Sequence, residues 1–403
     1  MKRIQIYIVC MIFALLLSML TGCSNEESNR LIASANISIM QGNPEILKND
    51  DSISFKLNKD ENAQVTFSRS ALDKGEFFVV NIKFSGDNKI YAKILGPSYD
   101  INKDSVFEKC NGAGEFQRVI KSDNKGNCDF SVSLINKDSD IFEGKISHVE
   151  IKPIVDCSDY RLYSSNDKSV KILLCKDDVS KSECSDKAIV KWLDNLAIIR
   201  KTLNDFSGYG MDEVVYCATQ EFDHYGLAGN PININRKYVV DDLKTIMSAY
   251  DKEESSSEIM WGYVHEMAHV ADGFGYGKIA DRIFDSELSA QLESAYVITI
   301  NGFKYPNGKS AVEFFSDHTN LSNGVYSDES FLYRLFQILQ PIDRNLNGLK
   351  QSLLSTEYKS NMSDYEKLNV FFNQLKKFSG QDIFNLFTEK EQQAIKTKFI
   401  DGK

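Results

Sequence analysis

His265 and His269 stand four residues apart in the segment His265-Glu266-Met267-Ala268-His269, with Glu266 between them. On an α-helix that spacing puts both imidazoles on one face, about one turn apart. Zn²⁺ takes nitrogen ligands at about 2.0–2.1 Å in a tetrahedral arrangement, so the pair can supply two corners. Glu266 points partly aside, where it reaches a metal-activated water without occupying a ligand position. A metal lowers the pKa of such a water towards about 7. A carboxylate can then take its proton during attack on a peptide carbonyl. The chemistry these residues point to is zinc-dependent hydrolysis.

That chemistry needs a helix under the pair and a third ligand from elsewhere. Ser255-Ser256-Ser257-Glu258 reads as a capping box at the helix start. Trp261, Val264, Ala268 and Ala271 form an apolar stripe at helical spacing, and Gly273 and Gly275 end it. An extended motif with Gly at 272 and a ligand at 275 does not match, because those positions hold Asp272 and Gly275. The third ligand is then expected on a following helix. Glu287 opens such a stretch, with Asp285 or Ser286 as its cap and Leu288, Leu292, Ala295 and Tyr296 as its core face. Glu293 is the alternative ligand, about half a turn from that face. Asp281 and Asp285 read more simply as surface or capping residues. Asp272 shares the face of the His pair, either orienting an imidazole or ending the helix in solvent. Tyr296, Tyr326, Tyr333 and His318 are open candidates for an oxyanion donor. His148 and His224 read as surface residues.

Trp261-Gly262-Tyr263-Val264-His265-Glu266-Met267-Ala268-His269 resembles the Trp-Gly-x-x-His-Glu-x-x-His segment of the enhancin-like metallopeptidases, which include viral enhancins and bacterial mucin-degrading proteases. Ala228-Gly229-Asn230-Pro231-Ile232 is similar to the stretch preceding that family's metal helix. Glu287-Leu288-Ser289-Ala290-Gln291-Leu292 is similar to its ligand helix, and Phe378 to Phe387 to its C-terminal helices. The likeness covers roughly residues 165–390. It implies a gluzincin-type domain, with zinc on His265, His269 and Glu287 and Glu266 as base. It also implies protein or mucin-type glycoprotein substrates. Under it, the strand Ile232–Ile234 would border the cleft and pair with extended substrate.

The remaining sequence organises around this domain. Residues 1–23 carry Lys2 and Arg3, an apolar run from Ile4 to Leu20, and Leu20-Thr21-Gly22-Cys23. This is a secretory signal whose end resembles a bacterial lipoprotein box, so Cys23 is the expected lipidation site and membrane anchor. Cleavage there takes the formal charge from −10 to −12. That charge argues against a nucleic-acid partner. Residues 24–36 are polar and read as a tether. From 37 to 155, alternating runs such as Ile53-Phe55-Leu57, Val80-Ile82-Phe84 and Phe130-Val132-Leu134 predict a β-sandwich, either a spacer or a carbohydrate-binding module. From 156 to 403, strands at Val170–Leu174, Val214–Ala218 and Ile232–Ile234, a helix over Lys187–Phe206, and helices after Ser257 predict a small mixed sheet with a helical half. The expected class is α+β. Cys110, Cys128, Cys157, Cys175, Cys184 and Cys217 permit disulfides in an exported chain, with Cys110–Cys128 and Cys175–Cys184 the plausible local pairs. The expected function is a cell-surface zinc endopeptidase. The alternative is a surface glycan- or protein-binding lipoprotein with an inactive peptidase-like domain, against which the intact Glu266 argues.

Overall fold

The computed structural model describes residues 26–95, 108–110, 112–123, 125–154, 159–208, 210–221, 224–229, 231–250, 257–274, 282–316, 321 and 324–401. The expected signal segment with Cys23 lies outside them, as do Cys157, Asp281 and His318. The class is α+β. The chain divides into two compact units at Arg161/Leu162, with Cys217–His224 and Asn235–Lys237 grouped with the first. No helix among the described residues is long and apolar enough to cross a membrane.

The first unit opens with helix α1 (26–34). Ten strands follow: β1 (Asn36–Gln41), β2 (Glu45–Lys48), β3 (Ile53–Asn58), β4 (Asn62–Arg69), β5 (Phe77–Gly86), β6 (Ile90–Leu95), β7 (Glu108–Cys110), β8 (Gly114–Lys121), β9 (Cys128–Ile135) and β10 (Ile141–Pro153). They form two antiparallel sheets, ordered β1-β4-β9-β6-β7 and β2-β3-β10-β5-β8. Alternation along each strand turns Phe67, Phe130 and Val132 of one sheet and Phe55, Phe84 and Phe142 of the other into a single core. The expected tether is corrected here. Ser28, Leu31, Ile32 and Ala35 recur at helical spacing and are buried, Leu31, Ile32 and Ala35 within that core. The Ser28 hydroxyl also accepts from the Val149 N–H at 3.0 Å. Residues 26–34 are therefore part of the fold.

A third sheet has the order β11-β12-β13-β15-β14, made of β11 (Tyr160–Ser164), β12 (Val170–Cys175), β13 (Val214–Gln220), β14 (Gly226–Leu227) and β15 (Ile232–Asn235). Helices α2 (Lys176–Ser182) and α3 (Asp186–Ser207) lie between β12 and β13, and α4 (Arg236–Tyr250) follows β15. The Ser185 hydroxyl caps α3, and Gly208 at φ 71° closes it in the left-handed region. Then come α5 (Trp261–Phe274), α6 (Ser286–Ile300), α7 (Ala311–Phe314), α8 (Asp328–Ile342), α9 (Asn347–Leu353), α10 (Asp364–Ser379) and α11 (Glu389–Lys396). Helices α7, α10 and α11 each start with a reciprocal capping box.

The cysteine expectations are also corrected. Cys128 and Cys217 are buried free thiols, so Cys128 makes no bond to Cys110. No disulfide joins Cys175 to Cys184: Cys175 ends β12, and the Cys184 sulfur sits 3.9 Å from the Ser185 carbonyl oxygen.

Candidate metal centre

Helix α5 carries His265, Glu266 and His269. It starts at Trp261 rather than from a Ser255 cap. Ser255 lies outside the described residues, and Glu258 is drawn into other bonds. Its Oε2 accepts from the Asn307 N–H at 3.1 Å, and its carbonyl accepts from the Tyr250 hydroxyl. The apolar stripe behaves as expected: Val264, Ala268 and Ala271 are buried, as is Met267. Gly262 is required by a close approach. A β-carbon there would stand 2.0 Å from the Tyr225 ring, so only glycine lets that ring lie against the helix.

Helix α6 brings Glu287 to the pair. Asp285 caps it by accepting from the Leu288 N–H at 2.8 Å, which puts Glu287 in the first turn. Its Oε2 lies 3.3 Å from His265 Nε2, and its Oε1 lies 3.4 Å from His269 Nε2. The two Nε2 atoms are 3.1 Å apart. Ligands at about 2.0–2.1 Å from a tetrahedral ion stand roughly 3.3 Å from each other. The three observed separations match that edge, so the donor set fits a zinc ion in both chemistry and spacing. Among the described residues, this is the group of three potential ligands whose donor atoms converge, all within 4.8 Å.

The electrostatics agree with a ligand set. Burial holds the His265 imidazole below its ordinary pKa, against the pull of Glu287. A neutral ring is the ligating form. Burial likewise lowers His269, but the carboxylates of Glu287 and Glu266 outweigh it and raise that ring. The two imidazoles hold Glu287 far below the usual carboxylate range. His265 packs on Trp261 with ring centres 4.8 Å apart. Its Nδ1 is buried without a hydrogen-bond partner, so the tilted contact with the indole is what orients the ring.

Glu266 turns away from the ligands into the protein and is only 7% exposed. Burial pushes its carboxyl up to about 7, while His269 and the Ala228 N–H pull it down. A β-carbon on Gly226 would meet Glu266 Cγ at 2.6 Å and Oε1 at 2.7 Å. Gly226→Ala should therefore displace the carboxylate. Any hydrolysis this site performs should then fall by about 10²-fold, the scale of a 1 Å misplacement, with metal content unchanged; equal rates for the two proteins would contradict this packing.

Several residues behind α5 escaped sequence reasoning. The Tyr216 hydroxyl donates to the Tyr263 carbonyl at 2.7 Å, and the Tyr225 hydroxyl to Asp242 Oδ2 at 2.8 Å. Burial raises Asp242 to about 6. These groups sit on β13, the β13–β14 loop and α4, and their only sequence trace is the small residue at 262.

Three site expectations change. Glu293 is not positioned as a ligand: six residues along α6 turn it about 240° from Glu287. It is fully buried, with Oε1 2.6 Å from Arg282 Nη1. Asp272 is not a solvated helix end, because its Oδ1 is buried. β15 is not the cleft edge, because it lies between β13 and β14; the sheet edge beside α5 is β14, which pairs antiparallel with β15. Three of the tyrosines left open as oxyanion donors also make other contacts. Tyr296 packs on Phe206, Tyr326 on Phe331, and the Tyr333 hydroxyl accepts from Gln337. His224 is exposed and His148 half-buried.

No family model and no curated protein matches the chain. Solved structures do match it. A functionally unknown conserved protein from Bacillus anthracis aligns over 87% of this chain and 79% of its own, at 14% identity and a TM-score of 0.37. A xylan-binding domain from Paenibacillus barcinonensis covers 32% of this chain and 91% of its own, at 10% identity and a TM-score of 0.22. A family 29 carbohydrate-binding module from Piromyces equi covers 31% and 95%, at 10% identity and a TM-score of 0.21. None of these likenesses is strong enough to assign a function.

Proposed function

We propose that the protein is an extracytoplasmic zinc endopeptidase of the enhancin-like, gluzincin type, anchored to the membrane through Cys23. The observation that carries this reading is the convergence of His265, His269 and Glu287 donor atoms beside a buried Glu266. The three converging residues would hold the ion. Bound zinc supplies a Lewis acid that polarises a carbonyl and acidifies water. Glu266 accepts the proton at its carboxylate and returns it to the leaving amine, a role suited by a pKa near neutrality. Gly226 and the Ala228 N–H fix where that carboxylate sits. β14 is the last strand of its sheet and lies next to α5, the edge to which an extended peptide would add as a further strand. Glu287, with a side chain 64% exposed, leaves the ligand triad open to solvent on one side, as substrate entry requires.

The first unit carries an open groove of about 830 Å³, lined by Glu45, Ser54, Lys56, Asp87, Glu143 and Lys145 among others. Its carboxylates, ammonium groups and hydroxyl suit a hydroxyl-rich ligand, which favours glycoprotein as the substrate class. The test is cleavage of a mucin-type protein, glycosylated and deglycosylated, with and without a chelator. Chelator-sensitive cleavage of either form supports the peptidase; no cleavage of any protein substrate by zinc-loaded enzyme contradicts it.

The lipoprotein box makes a separate prediction. In a bacterial host, Cys23→Ala should move the protein from the membrane fraction to a soluble or unprocessed form, read by fractionation. A wild-type protein recovered in the soluble cytoplasmic fraction would overturn the anchor.

A further inference from the structure

The two helices that carry the triad meet again beyond it. Asp272 lies three residues past His269 on α5, and Glu293 lies six past Glu287 on α6. Arg282 precedes α6 and ties the two to a third helix. Its Nη1 donates to Glu293 Oε1 at 2.6 Å, and its Nε donates to the Leu353 carbonyl at 2.7 Å, at the electronegative C-terminus of α9. The side chains of Arg282 and Glu293 are 1% and 0% exposed, so nothing solvates this pair. Glu293 Oε2 and Asp272 Oδ1 are also buried, with no donor from any other residue. Each carboxyl acts on the other's ionisation, and two acceptor-only carboxylates can bond only when one proton sits between them. Burial raises both and keeps that proton in place. One cation, one shared proton and two carboxyls make a neutral buried cluster, the arrangement that spares the cost of lone interior charge.

Glu287 itself has no such support. Among the described residues its recorded partners are the two imidazoles alone, and its side chain is largely exposed. Its position over His265 and His269 therefore depends on how α6 is rotated and slid against α5. We infer that Arg282, Glu293 and Asp272 are positioning residues that lock α6 against α5 and so hold Glu287 over the His pair. This rests on the zinc reading above. The cluster is invisible to motif matching because Arg282 and Glu293 lie outside the His-Glu-x-x-His segment.

The test is zinc affinity of the full folded chain, read by competition with a chromogenic chelator, beside circular dichroism of the same samples. Asp272→Ala should weaken zinc by about 10–100-fold, the usual cost of an outer partner, with an unchanged dichroism spectrum. Asp272→Asn, which still bonds Glu293, should stay near wild type. Arg282→Met/Glu293→Leu removes both charges together and should weaken zinc as Asp272→Ala does; if it fails to fold, Asp272→Ala decides, since Asp272 sits at a helix end. Wild-type affinity in folded Asp272→Ala would overturn the positioning role. A wild-type chain that binds no zinc would instead remove the reading on which it rests.

Discussion

Glu266→Gln is expected to lose about 10²–10⁴-fold in hydrolysis, the range of general acid–base catalysis, while keeping its zinc. The substitution changes one oxygen to nitrogen and leaves the side-chain volume unchanged, so the glutamine fits the same slot against Gly226, where any extra atom would clash. It removes no ligand, because the converging donors belong to His265, His269 and Glu287. It removes a carboxylate beside the triad that can take a proton near neutral pH, since burial lifts Glu266 to about 7 and the triad's own carboxylate is held far lower. Parallel assays of metal content and peptide cleavage separate the two effects. A variant that keeps both zinc and full activity would remove Glu266 from the chemistry. One that loses zinc would make it a ligand.

Glu287→Ala is expected to weaken zinc by more than about 100-fold, beyond the 10–100-fold cost of losing an outer partner. The carboxylate spans both imidazoles, at 3.3 and 3.4 Å, so its loss leaves two nitrogens and an open cleft. Stability should change little, because the side chain is 64% exposed. Glu293→Gln is the control: it retains bonds to Arg282 and Asp272 and should bind zinc as wild type does. If Glu293→Gln lost the metal and Glu287→Ala kept it, the ligand assignment would be reversed.

The contrast between these two glutamates shows what the sequence could and could not reveal. The His265–His269 spacing is a local property of one helix, and so is legible. Glu287 and Glu293 share one helix too, but which of them reaches the His pair depends on how α6 docks. That docking is set by Arg282, Asp272 and the Leu353 carbonyl, which lie far apart in the chain. Sandwich strands such as Ile53–Asn58 and Cys128–Ile135 were legible because a half-buried strand must alternate. Strand order was not: Ile232 and Ile234 are both buried and alternate the same way whether β15 is edge or interior. Two helices were legible and missed. Residues 26–34 are polar enough to pass for a tether, yet Ser28, Leu31 and Ile32 mark a buried stripe. In α4, Val239, Leu243, Ile246 and Tyr250 carry the same mark, obscured by charged neighbours.

The most direct test of the central claim is metal content by atomic emission on purified, dialysed protein, wild type beside His265→Ala and His269→Ala. The account predicts one zinc per wild-type chain and none in either variant, with all three proteins folded by circular dichroism. A folded wild-type chain that takes up no zinc, or a histidine variant that retains it, would contradict the assignment of this site.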